Sequence, residues 1–181
     1  MGNIMDYIEW RGDLPFTQSE FNDVDNLILA CFSYVNLDGI QEAASQNGIE
    51  LKALTEKFLQ LHTEKELKED KSFIRFAPFM MLEMAKTERF GQCVIRNYVN
   101  EIVAEEAQQF SAVEICLSDG TSYISFRGTD DTIVGWKEDF NLSTGVVPAQ
   151  ERAVEYLRRI AGSLQEMVRV GGHSKGGNLA V

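Results

Sequence analysis

Val168-Arg169-Val170-Gly171-Gly172-His173-Ser174-Lys175-Gly176-Gly177-Asn178-Leu179-Ala180 passes from a short apolar strand, through paired glycines, into the start of a helix. Its centre, Gly172 to Gly176, has G-x-S-x-G spacing with a strand before and a helix after. A serine at the tip of so tight a turn takes backbone angles that crowd its neighbours. Glycines two before and two after remove the colliding Cβ atoms. The helix N-terminus then aims amide donors at whatever reacts with the serine. The bland alternative is a glycine-rich structural turn. A phosphate loop does not fit, because it needs Lys directly before Ser or Thr, and the order here is Ser174-Lys175. Neighbours in a sharp turn point apart, so Lys175 is expected to lend its backbone N–H rather than its amine. For the same reason His173 is expected to point away from Ser174 and to be structural.

Working outward, Phe110 to Leu117, a turn at Ser118-Asp119-Gly120, and Tyr123 to Arg127 read as a β-hairpin. Alternation over Val94 to Asn100 suggests a further strand. Gly128-Thr129-Asp130-Asp131 is a polar loop, with a short helix expected over Ile133 to Phe140. Pro148 opens a longer helix with Ala149, Ala153, Leu157 and Ile160 inward. A helix followed by the strand Met167 to Val170 predicts a β-α-β crossover and a parallel pair.

The first half reads as helices. Thr17 and Glu20 have capping-box spacing, which predicts a helix from near Ser19. Phe21, Val24, Leu27, Ile28, Cys31, Phe32 and Val35 would be its buried face, and Asp38-Gly39 ends it. A second face carries Leu51, Leu54, Phe58 and Leu61. The charged run Glu64 to Lys71 reads as solvated. A third helix, from Pro78 through Lys86, carries Met80, Met81 and Met84 as core filler. The expected fold class is α/β, with a helical segment over 1–91 and a mixed sheet over 92–181 ending at the Ser174 turn.

The chain has 181 residues, 44% hydrophobic and 25% charged, which excludes disorder and low complexity. Seventeen Lys+Arg against 28 Asp+Glu give a net charge of -11, which repels phosphate backbones and argues against nucleic acid as partner. Apolar runs such as Leu27 to Phe32 reach only six residues, against about 20 for a membrane span. Asp6, Glu9 and Asp13 interrupt the start, so no signal peptide is expected, and the expected location is cytoplasmic. Cys31, Cys93 and Cys116 form neither a disulfide framework nor a zinc motif. They read as buried thiols, with no metal and no cofactor.

Three segments together carry a resemblance. Ile124-Ser125-Phe126-Arg127-Gly128-Thr129, then Gly135-Trp136-Lys137-Glu138-Asp139-Phe140, then Val170 to Ala180, resemble the class-3 lipase pattern of the α/β-hydrolases. Tyr7 to Asp13 and Phe21 to Leu27 are similar to an uncharacterised bacterial branch of that superfamily. Lys175 departs from the usual Leu and is expected to make the pocket edge more polar. The resemblance implies that Ser174 is the nucleophile. It implies an oxyanion hole made by the backbone N–H of Lys175 and by Thr129, with Gly128, Gly172 and Gly176 in support. Arg127 and Asp139 read as scaffold, through a buried Arg–carboxylate pair. Thr129 as a simple loop cap stays open.

An α/β-hydrolase places Asp or Glu, then His, after its serine. Seven residues follow Ser174 and none is Asp, Glu or His. The expectation is therefore a chain cut just after the turn, inactive alone, that in complete form is a serine esterase or lipase acting on a small-molecule or lipid ester. A bare sheet edge would favour homo-oligomers. The alternatives are a noncatalytic hydrolase-like binding protein, or an interaction domain made by the acidic helical half.

Overall fold

The computed structural model describes residues 2–69, 74–103, 108–129, 147–162 and 167–181. The first half holds α1 (Ile4–Arg11), α2 (Asp23–Phe32), α3 (Gln41–Ala44), the two-residue β1 (Ile49–Glu50), α4 (Leu51–Leu61), α5 (Glu64–Glu69) and α6 (Ala77–Met84). Then come β2 (Val94–Val103), β3 (Gln108–Cys116), β4 (Ser122–Phe126), α7 (Pro148–Ala161), β5 (Val168–Gly172) and α8 (Lys175–Leu179). The helix expected over Ile133 to Phe140 lies outside the described residues.

The five strands form one mixed sheet in the order β1-β2-β3-β4-β5. The first three pairings are antiparallel. β4 and β5 are parallel, with Phe126 opposite Gly172, as the helix between them requires. Gly120, at φ 84°, closes the β3–β4 turn in a conformation that a side chain would strain.

Both faces of the sheet are covered, which is why every residue of β4 is buried. On one face Val113, Ile115 and Tyr123 pack with Ile28 and Phe32 of α2, Phe58 of α4 and Met80, Met81 and Met84 of α6. One core therefore includes residues of the helical half and of the sheet. On the other face Phe110, Ala112, Ile124 and Phe126 meet Ala149, Ala153, Tyr156 and Ile160 of α7, and Leu179 of α8. Phe110, Phe126 and Tyr156 form a ring cluster with centroids 5.9–6.1 Å apart. Each such buried side chain contributes roughly 1.5–3 kcal/mol.

The α2 region differs from the sequence reading in start and in face. Its N-cap is Asn22, whose side chain accepts the amides of Val24 and Asp25, while Asp25 accepts the Asn22 amide. Thr17 to Ser19 form a turn on the Pro15 carbonyl instead. Asp25 is buried, and Val24 and Leu27, expected inside, are exposed. The physical reason is Arg89. Its guanidinium donates to both Asp25 oxygens, at 2.8 and 2.6 Å, and to the carbonyls of Leu14, Ser19 and Glu20. Drawing Asp25 inward rotates the helix and turns Val24 and Leu27 out. Leu61, at the end of α4, is likewise exposed. Helix α1 was not anticipated; Asn3 and Asp6 form its capping box.

A bulge in β2 between Arg96 and Val99, with Asn97 at φ 53°, lets two neighbours serve one carboxylate. Arg96 and Asn97 donate to Glu114 at 2.8 and 2.7 Å, and Ser122 donates at 2.8 Å. Burial pushes the Glu114 carboxyl up, but these donors outweigh it and hold it below its ordinary value.

Candidate active site

Ser174 stands between the last residues of β5 and the first turn of α8, at φ 57° and ψ -125°, with its side chain exposed. For a residue with a Cβ this is a strained conformation, costing about 1–3 kcal/mol, which persists only where the surroundings enforce it. The enforcing contacts are backbone contacts. The Gly176 amide donates to the His173 carbonyl at 3.0 Å, and the Gly177 amide to the Ser174 carbonyl at 2.9 Å. A Cβ on Gly172 would stand 2.5 Å from the Gly176 oxygen and 2.6 Å from the Phe126 oxygen. A Cβ on Gly176 would stand 2.8 Å from the Phe126 carbonyl carbon. The two glycines let α8 start directly against the end of β4.

The β4 end also brings in the second loop. Gly128 is packed so closely that a Cβ there would lie 2.5 Å from the His173 oxygen and 3.2 Å from the Ser174 Cβ. Thr129, half-buried, follows directly. The structure thus brings Ser174, Lys175, Gly172, Gly176 and Gly128 together at the C-terminal end of the parallel pair, with Thr129 beside them. Asp130, Trp136 and Asp139 lie outside the described residues.

The Lys175 side chain does not line a pocket edge as the sequence suggested. It is turned under, only 4% exposed, and its Nζ donates to the Gln109 carbonyl at 3.0 Å. Its backbone stands at the first position of α8, the place from which an amide faces a group at Ser174.

The His173 ring is held by Tyr34 of the helical half. Its Nδ1 lies 3.0 Å from the Tyr34 hydroxyl, and the two rings meet edge to face at 5.7 Å. His62 caps the end of α4, its ring tilted against Phe58 at a centroid distance of 4.4 Å, beside an element packed against β1, α6 and β2. Arg127 donates to Asn100 at 2.8 Å rather than directly to a carboxylate among the described residues. The Asn100 amide donates onward to Asp38 at 2.8 Å, and the Tyr98 hydroxyl reaches the same carboxylate at 3.2 Å. Burial and the Asp38 charge push the Tyr98 phenol up, so it stays protonated and donates. Among the described residues no group of three or more His, Cys, Asp or Glu is arranged to hold a metal ion. Burial pushes the Cys31 thiol up to about 11, which keeps it protonated and unreactive.

Comparison with known families adds one finding. A family model described as Mbeg1-like matches residues 84–181, more than half of the chain. The chain belongs to the Mbeg1-like family. No curated protein and no solved structure gives a significant match. The Mbeg1-like match spans the whole sheet beyond β1, the Gly128 loop and the Ser174 turn. It excludes Tyr34 and Asp38, which reach this Mbeg1-like region from the helical half. Sequence reasoning missed both. A tyrosine just past a helix end and an acid in a turn gave no signal, because their partners lie 139 and about 60 residues away.

Proposed function

We propose that this protein is a serine hydrolase of the esterase or lipase type, built on the first half of an α/β-hydrolase fold, with Ser174 as nucleophile and an acyl ester as substrate. What carries the reading is the Ser174 backbone, φ 57° and ψ -125° between a parallel strand and a helix. Strain of this kind clusters at active sites, and here it holds an exposed hydroxyl at the tip of the turn. Ser174 Oγ attacks the acyl carbonyl. The carbonyl π bond opens onto its oxygen, and the Lys175 amide and Thr129 stabilise that oxyanion. The tetrahedral intermediate collapses to an acyl-enzyme as the C–O bond to the leaving group breaks, and that oxygen takes the proton removed from the serine and departs as the alcohol. Water then repeats the attack, releases the acid and regenerates the serine.

The serine proton needs a base. Neither histidine of the chain serves, since His173 is tied to Tyr34 and His62 packs against Phe58 on α4. The reading therefore assigns the base to neither histidine. A serine without a base is a poor nucleophile at pH 7. The recombinant 181-residue chain should accordingly hydrolyse short p-nitrophenyl esters no faster than its Ser174→Ala variant. Ser174-dependent turnover by this chain alone would place the base within it and overturn that part of the mechanism.

A further inference from the structure

We propose that Tyr34 is a positioning residue for Ser174, and that through it the helical half of the chain sets the geometry of the reacting site. The proposal rests on the reading of Ser174 as an acyl-transfer nucleophile.

Tyr34 is rigidly mounted. It follows α2 in a turn where its amide donates to the Cys31 carbonyl at 3.1 Å and Ser33 Oγ donates to the Ala30 carbonyl at 2.8 Å. Helix α2 is pinned to the sheet by Ser125 Oγ, which donates to the Leu29 carbonyl at 2.8 Å. The Tyr34 ring is buried, and its hydroxyl makes two contacts with consequences. One is the hydrogen bond to His173 Nδ1 at 3.0 Å. The other is with Gly128, where the same oxygen occupies the space that a Cβ would need.

His173 immediately precedes the nucleophile, and Gly128 immediately precedes Thr129. One phenol oxygen therefore touches both walls of the site, the Ser174 turn and the loop after β4. The contact on the serine side is polar and directional. The His173 carbonyl is already fixed by the Gly176 amide and by close packing on Gly128. Tyr34 fixes the ring of the same residue. With backbone and ring both held, His173 cannot pivot, and the strained angles of the next residue are retained. A phenylalanine at 34 would fill the ring volume and remove the hydrogen bond to the His173 ring.

The test uses Tyr34→Phe, which keeps the ring and removes one oxygen. In the native protein purified from its own cells, a fluorophosphonate probe should label Ser174, located by peptide mass spectrometry. Displacement of a reacting atom by about 1 Å costs on the order of 100-fold, so the second-order labelling constant of Tyr34→Phe should fall about 10- to 100-fold. Ile28→Val, a core change on the same helix, should lower the melting temperature comparably and leave the constant within twofold. A second readout does not depend on reactivity. In the 181-residue chain, long-range proton–nitrogen spectra of His173 should show one dominant tautomer in wild type and a mixture in Tyr34→Phe. Equal labelling constants for wild type and Tyr34→Phe, or an unchanged His173 spectrum, would overturn this proposal alone. Failure of the native protein to label at Ser174 would remove the nucleophile reading, and this proposal with it.

Discussion

Asp25→Ala should destabilise the chain by about 3–5 kcal/mol, the usual result of stripping one partner from a buried ion pair. Arg89 and Asp25 are both fully buried, and the Arg89 guanidinium also lies 4.0 Å from the Phe16 ring centroid. Burial alone would lower the Arg89 pKa, yet the hydrogen bond and charge of Asp25 outweigh it and raise it. Without Asp25 that charge stays in place with carbonyls only. The Asn22 amide also loses its capping acceptor, and Tyr7 loses a hydrogen-bond partner. For a domain of this size the loss corresponds to a melting temperature lower by roughly 6–20 °C. Differential scanning calorimetry checks it, with Lys68→Ala as the contrast. Lys68 and Glu64 form an equally short pair, but both are exposed, and their loss should move the melt little. A shift of less than about 2 °C for Asp25→Ala would mean that Arg89 finds another anion or that water reaches it.

Ser174→Ala in the native protein should reduce ester hydrolysis on the order of 10⁶-fold. Nucleophile, base and the acid that orients the base act as a unit, and removing the serine alone costs about as much as removing the set. Binding should survive, because the alanine leaves the Gly172 and Gly176 packing and the Gly128 loop untouched. The turn should keep its shape, since alanine keeps the Cβ and the backbone contacts that enforce φ 57° are untouched. The signature is thus a lost rate with an unchanged melting temperature. A residual rate within tenfold of wild type would assign the chemistry to another residue.

The Ser174 turn was legible from sequence because its requirements are local. Glycines at fixed offsets, a strand before and a helix after lie within thirteen consecutive residues. The β3–β4 hairpin and the parallel β4–β5 pair were legible for the same reason, through Asp119-Gly120 and the intervening α7 pattern. What failed was long-range. Asp25 entered the sequence reading only as part of the Phe21 to Leu27 stretch, and nothing near it announced a guanidinium 64 residues away. That one ion pair moved the start of α2 and turned Val24 and Leu27 outward. Lys175 was read by its alphabet, as a polar edge to a pocket. A buried carbonyl at Gln109, 66 residues upstream, takes its amine instead. Tyr34 was invisible for the same reason, since its importance lies wholly in where its hydroxyl ends.

These misses share a feature that bears on the site. Ser174 and Gly128 belong to the region of the family match, and polar contacts from the helical half reach their neighbours: Tyr34 onto His173, and Asp38 through Asn100 onto Arg127. A strained serine turn, a loop packed on it, and polar contacts from a separate layer are what a reacting centre needs to keep its geometry.

The most direct measurement is covalent. The native protein is treated with a fluorophosphonate at neutral pH, digested, and the adduct located by mass spectrometry. Fluoride leaves as the serine oxygen bonds to phosphorus, so the adduct marks the activated hydroxyl. The account predicts a single stoichiometric adduct on Ser174, absent from Ser174→Ala. An unmodified Ser174 alongside intact protein, or an adduct on any other serine, would contradict it.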